Sequence, residues 1–394
     1  MTNKLGLAPR LNYQGADSSR GAVLQLLFSN KDLSRAHISR VSGLSKQTIS
    51  SVMADLENAH LVEETGVTEG GVGRRAQTYR LSPSAGFAVG IDLGGTNFRS
   101  GLVDFSGNIL GELNVETPHS SVDELLQIMS KTITQLFKNA NVPVSELAQI
   151  VIGIPGAVNP ATGVISNAPN LEYLDNLVLS NLIQAKFNVS TLVENDVNVA
   201  ALGELEKSKT EDFGFIAIGT GVGMGLILDG ELRRGFNGGA GEIGYLPLGE
   251  NVNQLSKEGH FEELIGGHAV ESKYLKQVKS KKTLIEIFES ASKGDLISKK
   301  IVDELGSNIA LGIRAICSVL DLGEIILGGG IGSREDLYSK IVEELQRTMQ
   351  NPPSVKISTL GARAGLVGAM SYALSEMRGH VLTHGSLMTA SGAK

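Results

Sequence analysis

Apolar positions recur at helical spacing three times in quick succession near the start of the chain. Val23, Leu24, Leu26, Leu27 and Phe28 give a first helix its apolar face, and Asp17-Ser18 stands where a cap is needed. Ser34 opens a second helix carrying Ile38 and Val41, and Gly43 follows where a tight turn needs backbone freedom. Leu44 is apolar and Ser45 can cap a third helix, along which Ile49, Val52, Met53 and Leu56 form one inner stripe. The opposite face of that helix holds Lys46, Gln47, Thr48, Ser50 and Ser51. After Leu61-Val62 the pattern shortens to two strands, Val62–Thr65 and Thr78–Leu81, around a Gly-rich tip Gly66–Gly73 with Arg74 and Arg75 beside it.

Helix, turn, helix and basic wing in this order predict a winged helix-turn-helix. The third helix, with Ser45, Lys46, Gln47, Thr48, Ser50 and Ser51, would read base edges in the major groove. Arg74 and Arg75 would reach phosphates or the minor groove. The competing reading is a three-helix protein-interaction module with a polar surface.

The pattern then changes to buried strands. The segment 87–113 reads strand, Gly turn, strand, Ser106-Gly107 turn, strand; 213–233 repeats it with Gly219, Thr220 and Gly221 in the first turn and Asp229-Gly230 in the second. An internal repeat of this kind predicts two similar lobes with a cleft between them. In both turns Gly leaves room for backbone N–H groups to approach phosphate. Asp92 beside Gly94, Gly95, Thr96 and Asn97 is placed to hold a hydrated Mg2+. A third Gly-rich turn, with Gly329 and Gly330, follows the β-branched strand Glu324–Leu327 and precedes a helix led by Asp336 and Leu337.

Between the repeats, residues 150–171 read as a buried strand and a Pro-, Gly- and Asn-rich loop that rims the cleft. Residues 190–206 read as a strand, Glu194-Asn195-Asp196, then a helix. Asp196 at a strand end is the candidate general base toward a sugar hydroxyl, an effect worth roughly 10²–10⁴ in rate; alternatively it only caps the helix. Further on, KYLKQVKSKK reads as a solvated helix face, Asn308–Leu320 as a buried helix with Cys317 in the core, and 362–377 as a long helix returning to the first lobe. The tail is small and polar, and 381–394 is expected to be flexible.

Composition narrows the class. One cysteine excludes an internal disulfide framework and suits a reducing cytoplasm. The N-terminus has no apolar h-region, and no run approaches the ~18 apolar residues of a membrane span. The net charge of −7 conceals an asymmetry: residues 1–81 hold ten Lys/Arg against seven Asp/Glu, the rest 25 against 35. A mildly basic head on an acidic body fits contact with DNA confined to the head.

Together DLGGTN (92–97), GIPGAVNPATG (153–163), PNL (169–171), ENDVNVAALGE (194–204), GTGVGMG (219–225), GGAGEIGYLPLG (238–249) and LGGGIG (327–332) resemble the ROK family of repressors, open reading frames and kinases, over nearly the whole length. The resemblance implies an α/β, actin-like, two-lobed sugar-kinase fold behind an all-α/winged-helix N-terminal domain. Domains are then expected at 1–81 (DNA-binding), 82–205 with about 362–380 (lobe I) and 206–361 (lobe II). It implies sugar contacts from Asn195, Asp196, Glu242, Asn170 and Gly156, with Tyr245 and Glu262 in the same pocket, and Asp196 as base if the chain is a kinase. ATP with Mg2+ is the implied candidate ligand of the Gly turns.

Two departures stand out. The family's GEIGH reads GEIGY here, placing Tyr245 at the histidine. The family's CxCGxxGCxE run, which with that histidine holds a structural zinc, reads NVNQLSKEGHFEE at 251–263, with Asn253, Leu255 and His260 at the cysteines. A structural zinc needs about four N/S ligands, so none is expected, and His268 nearby reads as a surface residue. The leading functional expectation is a sugar-responsive repressor acting on double-stranded operator DNA as a homodimer or homotetramer, with no membrane partner. The alternative is an ATP-dependent sugar kinase carrying a DNA-binding head.

Overall fold

The computed structural model describes the chain except residues 1–4, 6–17, 31, 69–75, 169–170, 206, 209, 251, 391 and 394. It forms two compact units, Met1–Asp196 with Gly365–Lys394, and Val197–Ala364.

The first unit begins with three short helices, Ser19–Ser29, Arg35–Ser42 and Lys46–Asn58. A serine starts each one. The hydroxyls of Ser18, Ser34 and Ser45 accept from the N–H groups of Gly21, His37 and Thr48 at 2.9, 3.2 and 3.1 Å, satisfying donors that a helix start otherwise leaves open. Gly43 ends the second helix at φ 73°, in the left-handed region. Val23, Leu24, Leu27, Ile38, Ile49, Met53 and Leu56 are buried between the helices, whereas Val41 is 53 % exposed. Val62–Thr68 and Ala76–Leu81 pair antiparallel, and Leu33–Ser34 adds a third strand beside the latter. Two residues carry no periodicity, so this third strand is invisible in the sequence. Arg74, Arg75 and most of the Gly-rich tip lie outside the described residues.

The remainder of the first unit is built on a five-stranded sheet in the order Ser190–Asn195, Leu147–Ile154, Phe87–Leu93, Asn97–Asp104, Ile109–Glu116. The last three strands form an antiparallel meander; the first two add in parallel. Helix Val122–Ala140 buries Leu125, Met129, Ile133, Leu136 and Phe137 against one face of the sheet. The second unit repeats this topology: Glu231–Leu232, Val222–Leu228 and Phe213–Ile218 as the meander, then Glu324–Gly328 and Ser354–Ile357 in parallel. The repeat seen in the sequence as a Gly hairpin therefore extends to a whole sheet. Helices Leu296–Leu320 and Glu335–Thr348 pack on it through Ile309, Ile313, Ile316, Cys317, Leu337, Ile341 and Leu345. No helix among the described residues is long and apolar enough to cross a membrane.

Three expectations need correction. The boundary between units falls after Asp196 rather than after 205. The reason is close packing: a Cβ on Gly225 would lie 2.5 Å from that of Ala201, so the helix after Asp196 rests on the second unit's strand. The first helix of the chain and its sheet cluster with the first unit rather than standing apart as 1–81. The tail 381–394, expected to be flexible, is built into the fold over most of its described residues. The long helix runs from Ala364 to His384, Val381 and Leu387 are buried, Met388–Thr389 pairs with Gly392–Ala393, and Ala390 N–H donates to the Leu147 carbonyl. Buried apolar side chains and backbone pairing together hold a segment whose average composition is polar.

Candidate functional site

Strand register assembles the first set of residues. Asp92 lies level with Gly153, and Gly153 with Glu194, in parallel pairs. Asp92, Gly156, Asn195 and Asp196 thus emerge at or just beyond the carboxyl ends of three neighbouring strands, where open α/β sheets place their ligands. Asn195 Nδ2 donates to the Gly156 carbonyl at 3.0 Å, and Asn195 N–H to Glu194 Oε1 at 2.9 Å. Gly156 has φ 150°, and a Cβ there would press on the Ser166 carbonyl at 3.1 Å. Asp196 is the first residue of helix Asp196–Leu205. Asn170 lies outside the described residues.

Asp92 is 8 % exposed and paired with Arg99 at 3.1 Å. Burial pushes its carboxyl above the usual range, against the opposing pull of the guanidinium. Gly94 N–H donates to the Asn97 carbonyl at 3.0 Å, closing the turn. Thr117 braces it from outside, donating its hydroxyl to Gly94 O at 2.7 Å and its N–H to Thr96 O at 3.1 Å. Thr96 is exposed. The sequence reading missed Arg99 and Thr117. Arg99 was accessible to it: a hairpin about the Gly turn puts Arg99 opposite Asp92. Thr117 sits 23 residues from Gly94 and carried no signal.

In the second unit two Gly turns converge. Gly219 N–H donates to Gly221 O at 3.0 Å, and Gly267 N–H to Gly219 O at 2.9 Å. Gly329 has φ 78° and lies against the Ile218 carbonyl so closely that a Cβ would collide with it. A Cβ on Gly219 would sit 3.9 Å from Gly330 N. Thr220, Gly221, Gly329 and Gly330 are exposed.

Glu262 Oε2 accepts the N–H of Val222 at 2.8 Å, tying the acid to the end of the Gly219–Gly221 turn. Burial pushes the Glu262 carboxyl upward; the Val222 amide pulls it down, Glu258 and Glu242 push it up, and His268 pulls it down. Glu242 keeps an exposed face, yet partial burial pushes its carboxyl upward as well.

The segment after Tyr245 is closed by hydrogen bonds. The Tyr245 hydroxyl donates to the Lys257 carbonyl at 3.3 Å, the His260 ring meets the Gln254 carbonyl at 2.9 Å, and Gly259 N–H donates to Ser256 Oγ at 2.8 Å. These side chains do not fit the family's zinc site: they supply one imidazole and no thiolate. No group of three or more His, Cys, Asp or Glu suited to a metal occurs among the described residues. His268 is exposed, as expected.

On the third helix of the head, Ser45, Lys46, Gln47, Ser50 and Ser51 are exposed. Thr48 is half-buried, and its hydroxyl lies 2.8 Å from that of Ser45.

The model of the ROK family matches residues 88–376. The chain belongs to the ROK family. It is 27 % identical over 384 residues to the xylose repressor of Caldicellulosiruptor bescii, covering 90 % of this chain and 95 % of that one. Among solved structures, a ROK family transcriptional regulator homologous to the E. coli MLC protein superposes with a TM-score of 0.75 at 21 % identity, over 92 % of this chain and 96 % of its own. The ROK hexokinase of Thermus thermophilus matches with a TM-score of 0.65 at 26 % identity, over 74 % of this chain and 98 % of its own. The fold is the two-lobed, actin-like fold of ROK sugar kinases.

Proposed function

We propose that this ROK protein is a sugar-responsive, DNA-binding transcriptional repressor. The observation that carries the reading is its head: three serine-capped helices, the third presenting Ser45, Lys46, Gln47, Ser50 and Ser51 to solvent, followed by an antiparallel hairpin. We read this as a winged helix-turn-helix. Lys46 and the basic pair Arg74 and Arg75 supply phosphate contacts, and the short polar side chains supply base readout. The xylose repressor of C. bescii pairs with 90 % of the chain, whereas the Thermus hexokinase uses 98 % of itself and leaves about a quarter without counterpart.

The effector is a sugar or sugar derivative, and the residues proposed to contact it are Gly156, Asn170, Asn195, Asp196, Glu242, Tyr245 and Glu262. Asn195, fixed on Gly156, and Glu262, fixed on Val222, present oriented polar groups of the kind hydroxyls require. The protein works in the cytoplasm as a homodimer or homotetramer, pairing two heads with half-sites about 34 Å apart. A full swing of the operator equilibrium needs roughly 5.5 kcal/mol of effector preference for one state; many hydroxyl contacts repeated in each subunit are a sufficient source.

Fluorescence anisotropy with the DNA upstream of the protein's own gene, titrated with D-xylose, D-glucose, sugar phosphates and sugar alcohols, tests this. Tight binding released by one compound is expected. Binding that no compound alters removes the sensor; no binding removes this operator.

A second reading, sugar kinase, is favoured by the intact Gly turns. Gly219–Gly221 and Gly329–Gly330 would hold ATP phosphates, Gly94–Asn97 and Asp92 would hold phosphate and Mg2+, and Asp196 would take the hydroxyl proton. Bound ATP would supply the transferable phosphoryl group. Sugar-dependent ADP release abolished by Asp196→Asn would establish it.

A further inference from the structure

One helix joins the Asp92 turn to the head, and both its ends are held by charged side chains. Ala364–His384 has 21 residues, about 30 Å at 1.5 Å per residue. At its start, a Cβ on Gly365 would lie 2.8 Å from Asp92 Cγ and 2.9 and 3.0 Å from its carboxylate oxygens, so the carboxylate sits against the first turn. Negative charge is favoured there by the helix dipole. Along its length Met370 wedges between Gly90 and Gly101, which face each other in register on adjacent strands; a Cβ on either would collide with Met370. Gly90 is on the same strand as Asp92.

At the far end the helix grips the head. Arg378 is 4 % exposed and donates through Nε and Nη2 to the Phe105 carbonyl at 3.2 and 3.0 Å. Its guanidinium lies 4.8 Å over the ring of Phe28, which meets Phe105 edge-on at 6.2 Å. Arg20 donates to the carbonyl of Gly385, placing a cation just beyond the helix's last turn. Arg20 and Phe28 both belong to the head's first helix, Ser19–Ser29.

We propose that helix Ala364–His384 is the strut by which the head reads the state of the Asp92 turn. The proposal rests on the sensor reading above. A sugar derivative that carries a phosphate to the Gly94–Asn97 turn, with Mg2+ on Asp92, would change the hold of that carboxylate on the Gly365 end. The Met370 wedge makes strand and helix move together, and Arg378 and Gly385 carry the shift to Phe28 and Arg20. Packed contacts of this kind switch between arrangements rather than deform smoothly.

A double-mutant cycle on the full-length protein tests this, using Asp92→Asn and Arg20→Gln. The readout is hydrogen exchange of the Ser19–Ser29 amides, measured without DNA or effector. Asp92→Asn is expected to speed that exchange at least about threefold, and the two changes to be non-additive, whereas sites this far apart are ordinarily additive. Glu204→Gln in the second unit should leave it unchanged. Unaltered head exchange in a folded Asp92→Asn protein, or additive effects, overturns the strut. Should Asp92→Asn fail to fold, Gly365→Ala replaces it, pushing on the carboxylate without removing its charge, with the same two criteria. Coupled exchange in a protein that binds no DNA would sink the repressor reading and leave the strut intact.

Discussion

Glu262 Oε2 receives the backbone N–H of Val222 at 2.8 Å. The proposed sugar acid is thus also the support of the Gly219–Gly221 turn. Val222 is 7 % exposed, so its amide has little access to water once that acceptor is removed. Glu262→Ala should cost about 1–3 kcal/mol of stability through the unsatisfied donor, whereas Glu262→Gln, which keeps an acceptor, should unfold near wild type. Urea unfolding of both variants measures the difference; equal losses would show that the Val222 contact is unimportant.

The head makes a prediction about salt. Lys46→Ala should lower the slope of log affinity against log salt by about one, and Arg74→Ala with Arg75→Ala should flatten it further. Ser45→Ala removes the cap of the third helix and should cost about 1 kcal/mol in stability. Operator binding at several salt concentrations, beside thermal melts, separates the two effects.

Buried Glu204 makes a prediction about pH. It is 3 % exposed and accepts from the Ser358 hydroxyl; burial, the leading cause, raises its carboxyl above the ordinary 4.5, while the Ser358 bond and Lys207 oppose and Glu324 adds. A raised folded value means that the folded state holds the proton longer. Its contribution to stability therefore falls as pH rises from 4.5 through the raised value, and the cost persists at neutral pH. Glu204→Gln should raise Tm at pH 8 and flatten the profile above pH 4.5. A lower Tm for the variant throughout would show that the charged form is the stabilising one.

Close packing makes a prediction about glycines. Gly90→Ala drives a methyl into the Met370 backbone and should cost about 3 kcal/mol. Gly330→Ala meets nothing within 4 Å and should leave Tm unchanged or raise it slightly, because Ala costs the unfolded chain less entropy to order. Thermal denaturation compares them directly.

The 251–263 segment makes a prediction about metal. Held through Tyr245, Ser256 and His260, it should be indifferent to chelation, with EDTA moving Tm by no more than about 1 °C. Stoichiometric zinc in the purified protein would contradict this.

Local chemistry explains what could be read in advance. The three head helices were legible because Ser18, Ser34, Ser45 and Gly43 act on their own neighbours. The three Gly-rich turns were legible because backbone freedom is a property of one residue, and the family motifs marked Asp92, Asn195, Asp196, Glu242 and Glu262. By itself, then, the chain determined its caps, turns, strand pattern and the identities of its candidate ligand groups. The tertiary structure alone decided what these residues touch. Thr117 braces a turn 23 positions away, Glu262 holds an amide 40 positions away, and Arg378 reaches a carbonyl 273 positions away. Such contacts arise from close packing of distant segments, which periodicity and capping, acting over a few residues, do not encode.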